Sequence, residues 1–104
     1  MTYYIRKSDK PKKKYMLVMP DGKKVYFGAV GYRDFTLMNK KTSKFYEPNK
    51  DERDKVKKNY LKRHSREPKI LNSPSVLSDI ILWNKPTLKE SIIDYGKKYN
   101  ITIK

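Results

Sequence analysis

The sequence lacks cysteine altogether, which excludes disulfides and Cys-based metal sites. It has no apolar run approaching the roughly 18 residues of a membrane-spanning helix, and residues 1–7 lack the apolar stretch of a secretory signal. It has one histidine, no phosphate-cradling glycine loop and no nucleophile elbow. We therefore expect a non-enzymatic protein that is not secreted and that has no metal, no cofactor and no membrane span.

Acidic residues are scarce relative to basic ones. The 104 residues include 26 Lys and Arg against 11 Asp and Glu, a formal net charge of +15. Such self-repulsion opposes compaction and favours a partner that absorbs the charge. Nucleic acid is the leading candidate, because its phosphates release counterions when Lys and Arg bind. An anionic membrane surface, an acidic protein surface and a merely soluble lysine-rich protein are the alternatives.

The length predicts a single domain over residues 1–104, and the first third reads as β structure. Alternation over Tyr15–Met19 and Lys23–Gly28 around Pro-Asp-Gly predicts a hairpin. The composition of Thr2–Arg6 predicts a third strand, so residues 1–36 are expected to be mainly β. Residues 37–48 are polar and predict a loop.

Residues 49–99 read as mainly α. Asn49 with Glu52 predicts a helix start, with the end near Arg66 before a proline. Ser73 is expected to cap a second helix and Thr87 a third. Residues 100–104 predict a closing strand beside the hairpin. The expected fold class is α+β: a small antiparallel sheet packed against two or three helices.

Basic residues are concentrated in the first two thirds of the chain, whereas residues 73–104 hold five basic and three acidic side chains. On the predicted helix, Val56, Tyr60, Leu61 and His64 share one arc at about 100° per residue. The opposite arc carries Lys55, Lys58, Lys62, Arg63 and Arg66. A second basic group surrounds the hairpin: Lys10, Lys12, Lys13, Lys14, Lys23 and Lys24. Both groups are candidate nucleic-acid contacts. For the helix the alternative is a cationic face that is only solvated, and for the hairpin it is lysines that protect strand edges against aggregation.

Two other side-chain types are candidates for chemistry. Exposed tyrosines could stack on single-stranded bases, although tyrosines at strand spacing usually pack. His64 is the only histidine, and its place on the arc with Val56, Tyr60 and Leu61 favours packing or hydrogen bonding over general-base catalysis. An enzyme of unrecognised type, with His64 as its best candidate residue, is the last alternative.

Three segments carry a family resemblance. Phe27–Thr36 fits Phe-Gly-x-x-Gly-Tyr-x-Asp-aromatic-Thr, Tyr60–His64 fits Tyr-x-x-Arg-His, and Leu82–Leu88 reads Leu-Trp-Asn-Lys-Pro-Thr-Leu. In this order they resemble segments of small basic proteins encoded by nucleocytoplasmic large DNA viruses (giant viruses) of protists and algae. The sequence departs from that pattern in an extended loop over Asn39–Glu47 and at Ser75–Asp79, where relatives carry a Gly-Phe-Trp-containing segment.

The resemblance implies a viral origin and two possible roles, genome binding or a minor capsid or virion structural protein that contacts acidic virion proteins. It implies a location in the virion or in the host cytoplasm or nucleus. We interpret the motif residues as structural: glycines for backbone geometry, and a packed corner at the tryptophan segment, with Asn84 bonding the turn. They are Gly28, Gly31, Tyr32, Asp34, Tyr60, His64, Trp83, Pro86 and Leu88.

Overall fold

A computed structural model describes all 104 residues and has an α+β fold, which confirms the predicted class. The strands are β1 (Thr2–Lys7), β2 (Lys13–Val18), β3 (Lys24–Ala29) and β4 (Thr102–Ile103). The helices are α1 (Phe35–Met38), α2 (Lys50–Arg63), α3 (Pro74–Leu77), which continues as a π-helical turn over Ser78–Leu82, and α4 (Leu88–Tyr99). No helix combines the length and the apolar composition needed to cross a membrane.

The hairpin forms where the sequence predicts it. β2 and β3 pair antiparallel with Tyr15 opposite Phe27. The Met19 amide donates to the Lys23 carbonyl at 2.8 Å and the Gly22 amide to the Met19 carbonyl at 2.9 Å. Gly22 has φ +88°, a conformation that glycine adopts at little steric cost. The turn chemistry therefore fixes the register of the central strands.

The position and direction of β4 differ from the predicted sheet. The order is β3-β2-β1-β4, and β4 pairs with β1 in parallel, so the sheet is mixed rather than antiparallel and β4 does not lie beside the hairpin. β2 is paired on both sides, with β1 and β3, so β4 joins the outer edge of β1. Asn100, at φ +53°, ends α4 and turns the chain toward it.

The core lies between one face of the sheet and the carboxy-terminal helices. Leu17 and Phe27 are buried from the sheet side, and Leu77, Ile81 and Tyr95 from the helix side. This agrees with the low charge and apolar character of the last third of the sequence.

Two helix boundaries differ from the prediction. α2 ends at Arg63, so Arg66 lies in the following turn. A short helix, α1, begins before the predicted loop, because the buried Asp34 carboxylate accepts the Leu37 amide as an N-cap. The predicted caps Asn49, Ser73 and Thr87 all accept backbone amides of their helices.

Candidate functional site

The outward side of α2 carries a row of unpaired cations, which we call the outer arc. It consists of Lys55, Lys58, Lys62, Arg63 and Arg66, all of them exposed. None of the five takes part in any of the six ion pairs in the protein. All five are therefore exposed cations without an ion-pair partner, four of them on α2 and Arg66 in the turn that follows it.

The inward side of α2 is only half-buried. Val56, Tyr60, Leu61 and His64 lie there as predicted, and no residue of the helix is fully buried. The sequence reasoning missed Lys57, which also faces inward. Its ammonium donates to the Asn84 carbonyl at 2.6 Å and lies 4.8 Å from the centre of the Phe35 ring.

Local electrostatics explain why α2 forms despite its charge. The Asn49 side chain accepts the amides of Asp51 and Glu52, and those two acids lie in the first turn, at the positive end of the helix dipole. Lys62 and Arg63 occupy the last turn, where cations are favourable. The acids at the start leave the rest of the outer arc positive.

The lysines around the hairpin fall into two groups. Lys12 and Lys13 are exposed and make no ion pair. The others are partly engaged: Lys10 lies over the Tyr26 ring at 4.3 Å, Lys23 is 3.9 Å from Asp21, and Lys24 is 3.0 Å from Asp9. These contacts are exposed to solvent, so they compete weakly with an external anion.

The Asp9 carboxylate accepts hydrogen bonds from two side chains of β3, Lys24 and Tyr26. A hydrogen bond from the Tyr26 hydroxyl and then one from the Lys24 ammonium hold the pKa of Asp9 below its ordinary value. The same bonds raise the pKa of Tyr26 and of Lys24. The cluster is a local surface network with one acid shared by two donors.

Lys14 does not belong with the other predicted nucleic-acid contacts. Its ammonium donates to the Asp34 carboxylate at 2.7 Å and to the Tyr32 carbonyl at 2.6 Å. The two charged side chains are 13% and 2% exposed. The sequence grouped Lys14 with its neighbours because strand alternation alone does not reveal a buried acid twenty residues away.

The three motif segments converge on one cleft, which we call the motif cleft. It has a volume of about 500 Å³. Gly28, Tyr32 and Asp34 reach it from the first segment, Tyr60 and His64 from α2, and Trp83 from the end of the π-helical turn. Sequence order alone did not indicate that these residues would meet.

A stack of three rings forms one wall of the motif cleft. The Tyr60 ring lies parallel to that of Trp83, with centroids 4.1 Å apart, and the His64 ring tilts against Tyr60 at 4.3 Å. Burial, then the negative charges of Asp79 and Glu67, raises the pKa of Tyr60 to about 12. His64 Nδ1 lies 2.8 Å from Glu67 Oε1, so the histidine pairs with an acid as well as packing.

Gly28 and Gly31 both have a positive φ, and the tryptophan corner contacts α4 through Asn84. Gly28 has φ +79°, and a Cβ there would lie 2.8 Å from Leu82 Cδ1, so no other residue fits without movement. Gly31, at φ +90°, faces open space.

At the tryptophan corner, the Asn84 side chain donates a hydrogen bond to the Asp94 carboxylate of α4 at 2.6 Å rather than to the turn itself. Pro86 is exposed and Leu88 packs against the core.

Three cations at the motif cleft are free of acidic partners: Lys13, Arg33 and Arg63. The two acids that line it are both engaged, Asp34 by Lys14 and Glu67 by His64. Arg33 was missed as a candidate because the resemblance leaves its position variable and no basic cluster surrounds it. Arg63 belongs to both the outer arc and the cleft, so the two surfaces adjoin.

Comparison with known proteins adds one finding. The model of a family of unknown function, DUF5754, matches residues 3–45. The match covers the three amino-terminal strands and α1, with the Gly28–Asp34 part of the motif cleft, and stops before α2. No curated protein and no solved structure matches the chain.

Proposed function

We propose that this protein binds double-stranded nucleic acid, DNA first, through sequence-tolerant contacts to phosphates and without catalysis. The outer arc carries the proposal: four unpaired cations on one side of a helix that buries no residue fully, and a fifth, Arg66, in the turn that follows it. Lys12 and Lys13, with the weakly engaged Lys10, Lys23 and Lys24, extend the contact surface.

The spacing of the outer arc suits a polyanion. Lys58 and Lys62 are four residues apart and Lys55 and Lys58 three, so their like charges repel on the free helix. At 1.5 Å per residue, the helical part of the outer arc, from Lys55 to Arg63, spans about 12 Å. A DNA duplex presents roughly seven phosphates over that length. Phosphates would offset this repulsion, and none of these three lysines has an ion-pair partner within the protein.

The resemblance of the three motif segments to proteins of giant viruses supports a viral genome as the duplex. The same resemblance supports a second candidate, a minor virion protein that contacts acidic capsid or core proteins. The outer arc suits this role too, because lysine ammonium groups pair with carboxylates as well as with phosphates. The two candidates differ in which polyanion competes for the surface.

A charge-reversal variant tests the proposal. Lys58→Glu, Lys62→Glu and Arg66→Glu together should weaken binding to a random-sequence DNA duplex at low salt by roughly 100-fold or more, because three phosphate contacts become repulsive. Lys85→Glu, Lys89→Glu and Lys97→Glu form the matched control, since these exposed lysines lie outside the outer arc and the motif cleft. Gel shift measures both variants, and circular dichroism checks that they fold.

Equal losses in the two triple variants would mean that net charge alone attracts the duplex, and the proposed surface would be wrong. Absence of duplex binding by the native protein at low salt would sink the proposal itself. Polyglutamate that binds through the outer arc more tightly than duplex DNA does would favour the virion-protein candidate.

A further inference from the structure

The motif cleft has features that the outer arc lacks. The outer arc is one side of a helix, whereas the cleft is concave and lies between the β3–α1 connection, α2 and the α3 segment. Its volume of about 500 Å³ is within the usual range for small-ligand sites. It therefore admits a group the size of one nucleotide but not a duplex.

The charge at this cleft favours an anion. Lys13, Arg33 and Arg63 are unpaired, and the carboxylates of Asp34 and Glu67 are already held by other side chains. A phosphate at the mouth would meet free cations and no free acid. Arginine binds phosphate with two parallel hydrogen bonds, so two of the three cations suit this group especially well.

Tyr32 supplies an open aromatic surface at the same place. Its side chain lines the cleft, the residue is 72% exposed, and no other ring or cation packs against it. A large exposed ring beside free cations is the combination that holds single-stranded nucleotides, by stacking on the base and pairing with the phosphate.

We propose that the motif cleft holds one unpaired nucleotide at the end of a duplex, with the base on Tyr32 and the phosphate on Lys13, Arg33 and Arg63. This inference rests on the proposed function, because the duplex lies on the outer arc and Arg63 joins the two surfaces. It assigns the protein a preference for DNA ends that carry a single-stranded overhang over blunt ends.

The fluorescence of Trp83 reports on binding in the motif cleft. Trp83 is the only tryptophan in the chain, and it lines the cleft in the ring stack with Tyr60. We expect a DNA duplex with a short single-stranded overhang to quench or shift the tryptophan fluorescence and to bind roughly 10-fold more tightly than the same duplex with blunt ends. The blunt duplex should bind the outer arc without altering the fluorescence.

Variants at Tyr32 test the overhang preference separately from duplex binding. Tyr32→Ala should lose the preference for the overhang and keep its affinity for the blunt duplex, and Tyr32→Phe should keep both. Tyr4→Ala is the matched control, because Tyr4 is also an exposed tyrosine but lies outside the cleft. Its preference should equal that of the native protein.

Equal affinity of the native protein for both duplexes, with unchanged fluorescence, would overturn the inference and leave the proposed function standing. So would an overhang preference that survives in Tyr32→Ala. If neither duplex binds, the proposed function and this inference fail together.

Discussion

The helices α2 and α4 are similar in length and in their capping but differ in what they bury. α2 has 14 residues and none is fully buried, whereas α4 has 12 and buries Ser91 and Tyr95. Asn49 caps the first through two amides and Thr87 the second through one. Both helices are therefore capped in a similar way, and they differ in how deeply they pack against the rest of the protein.

The two helices therefore contribute differently, α4 to the packed interior and α2 to the charge of the surface. α4 fills the space under the sheet, where Tyr95 is 0% exposed and its hydroxyl donates to the Asn72 side chain at 2.8 Å. α2 packs the half-buried Val56, Tyr60 and Leu61 against the core, and its outer side holds like charges. That outer side is the surface that we propose contacts nucleic acid.

The largest expected effect is on α4. Tyr95→Ala should lower the free energy of unfolding by about 4 kcal/mol, because it leaves a cavity at a fully buried site. Lys58→Ala on α2 should change it by less than about 0.5 kcal/mol, since it removes an exposed charge beside like charges. Urea unfolding measures both, and similar losses would remove the contrast between the two helices.

Two adjacent lysines sharpen the comparison within a single strand. Lys14→Met should destabilise the protein by about 3 kcal/mol, because it leaves the buried Asp34 carboxylate without its cation. Lys13→Met should leave stability nearly unchanged and weaken duplex binding instead. Chemical denaturation and gel shift on both variants give the answer, and a Lys14→Met protein of native stability would contradict the buried pair.

A smaller effect should appear at high pH. Burial is the main cause that raises the pKa of Tyr60 in α2 and of Tyr95 in α4 to about 12. Between pH 10 and 12 these tyrosines ionise in the unfolded chain but stay protonated in the folded one. Stability present below pH 10 is therefore lost as pH rises, by up to about 1.4 kcal/mol per pH unit for each tyrosine.

The variants Tyr60→Phe and Tyr95→Phe should each make this decline shallower. The readout is the slope of the unfolding free energy against pH, which separates ionisation from any constant loss of packing or hydrogen bonding. Slopes identical to that of the native protein would show that neither hydroxyl is held in its protonated form.

Local features of the fold were predictable from the sequence. The Pro-Asp-Gly turn and the caps Asn49, Ser73 and Thr87 depend on residues within a few positions of each other, so short patterns reveal them. The partner of β4 was not predictable from such patterns, because β4 pairs with β1 from the opposite end of the sequence.

The site was predictable only in part. Helical periodicity gave the four members of the outer arc that lie on α2, because helix geometry places them on one side. The motif cleft depends on contacts between segments as far apart in the sequence as Gly28 and Trp83, and the Lys14–Asp34 pair crosses from β2 to the start of α1. Neither leaves a periodic trace in the sequence.

The salt dependence of duplex binding tests the central claim most directly. The logarithm of the affinity of the native protein for a random DNA duplex should fall linearly with the logarithm of the salt concentration. The variant with Lys55→Ala, Lys58→Ala and Lys62→Ala should remain helical and have a slope shallower by about 0.9 for each lysine removed. An unchanged slope in that variant would contradict the assignment of the outer arc as the phosphate-binding surface.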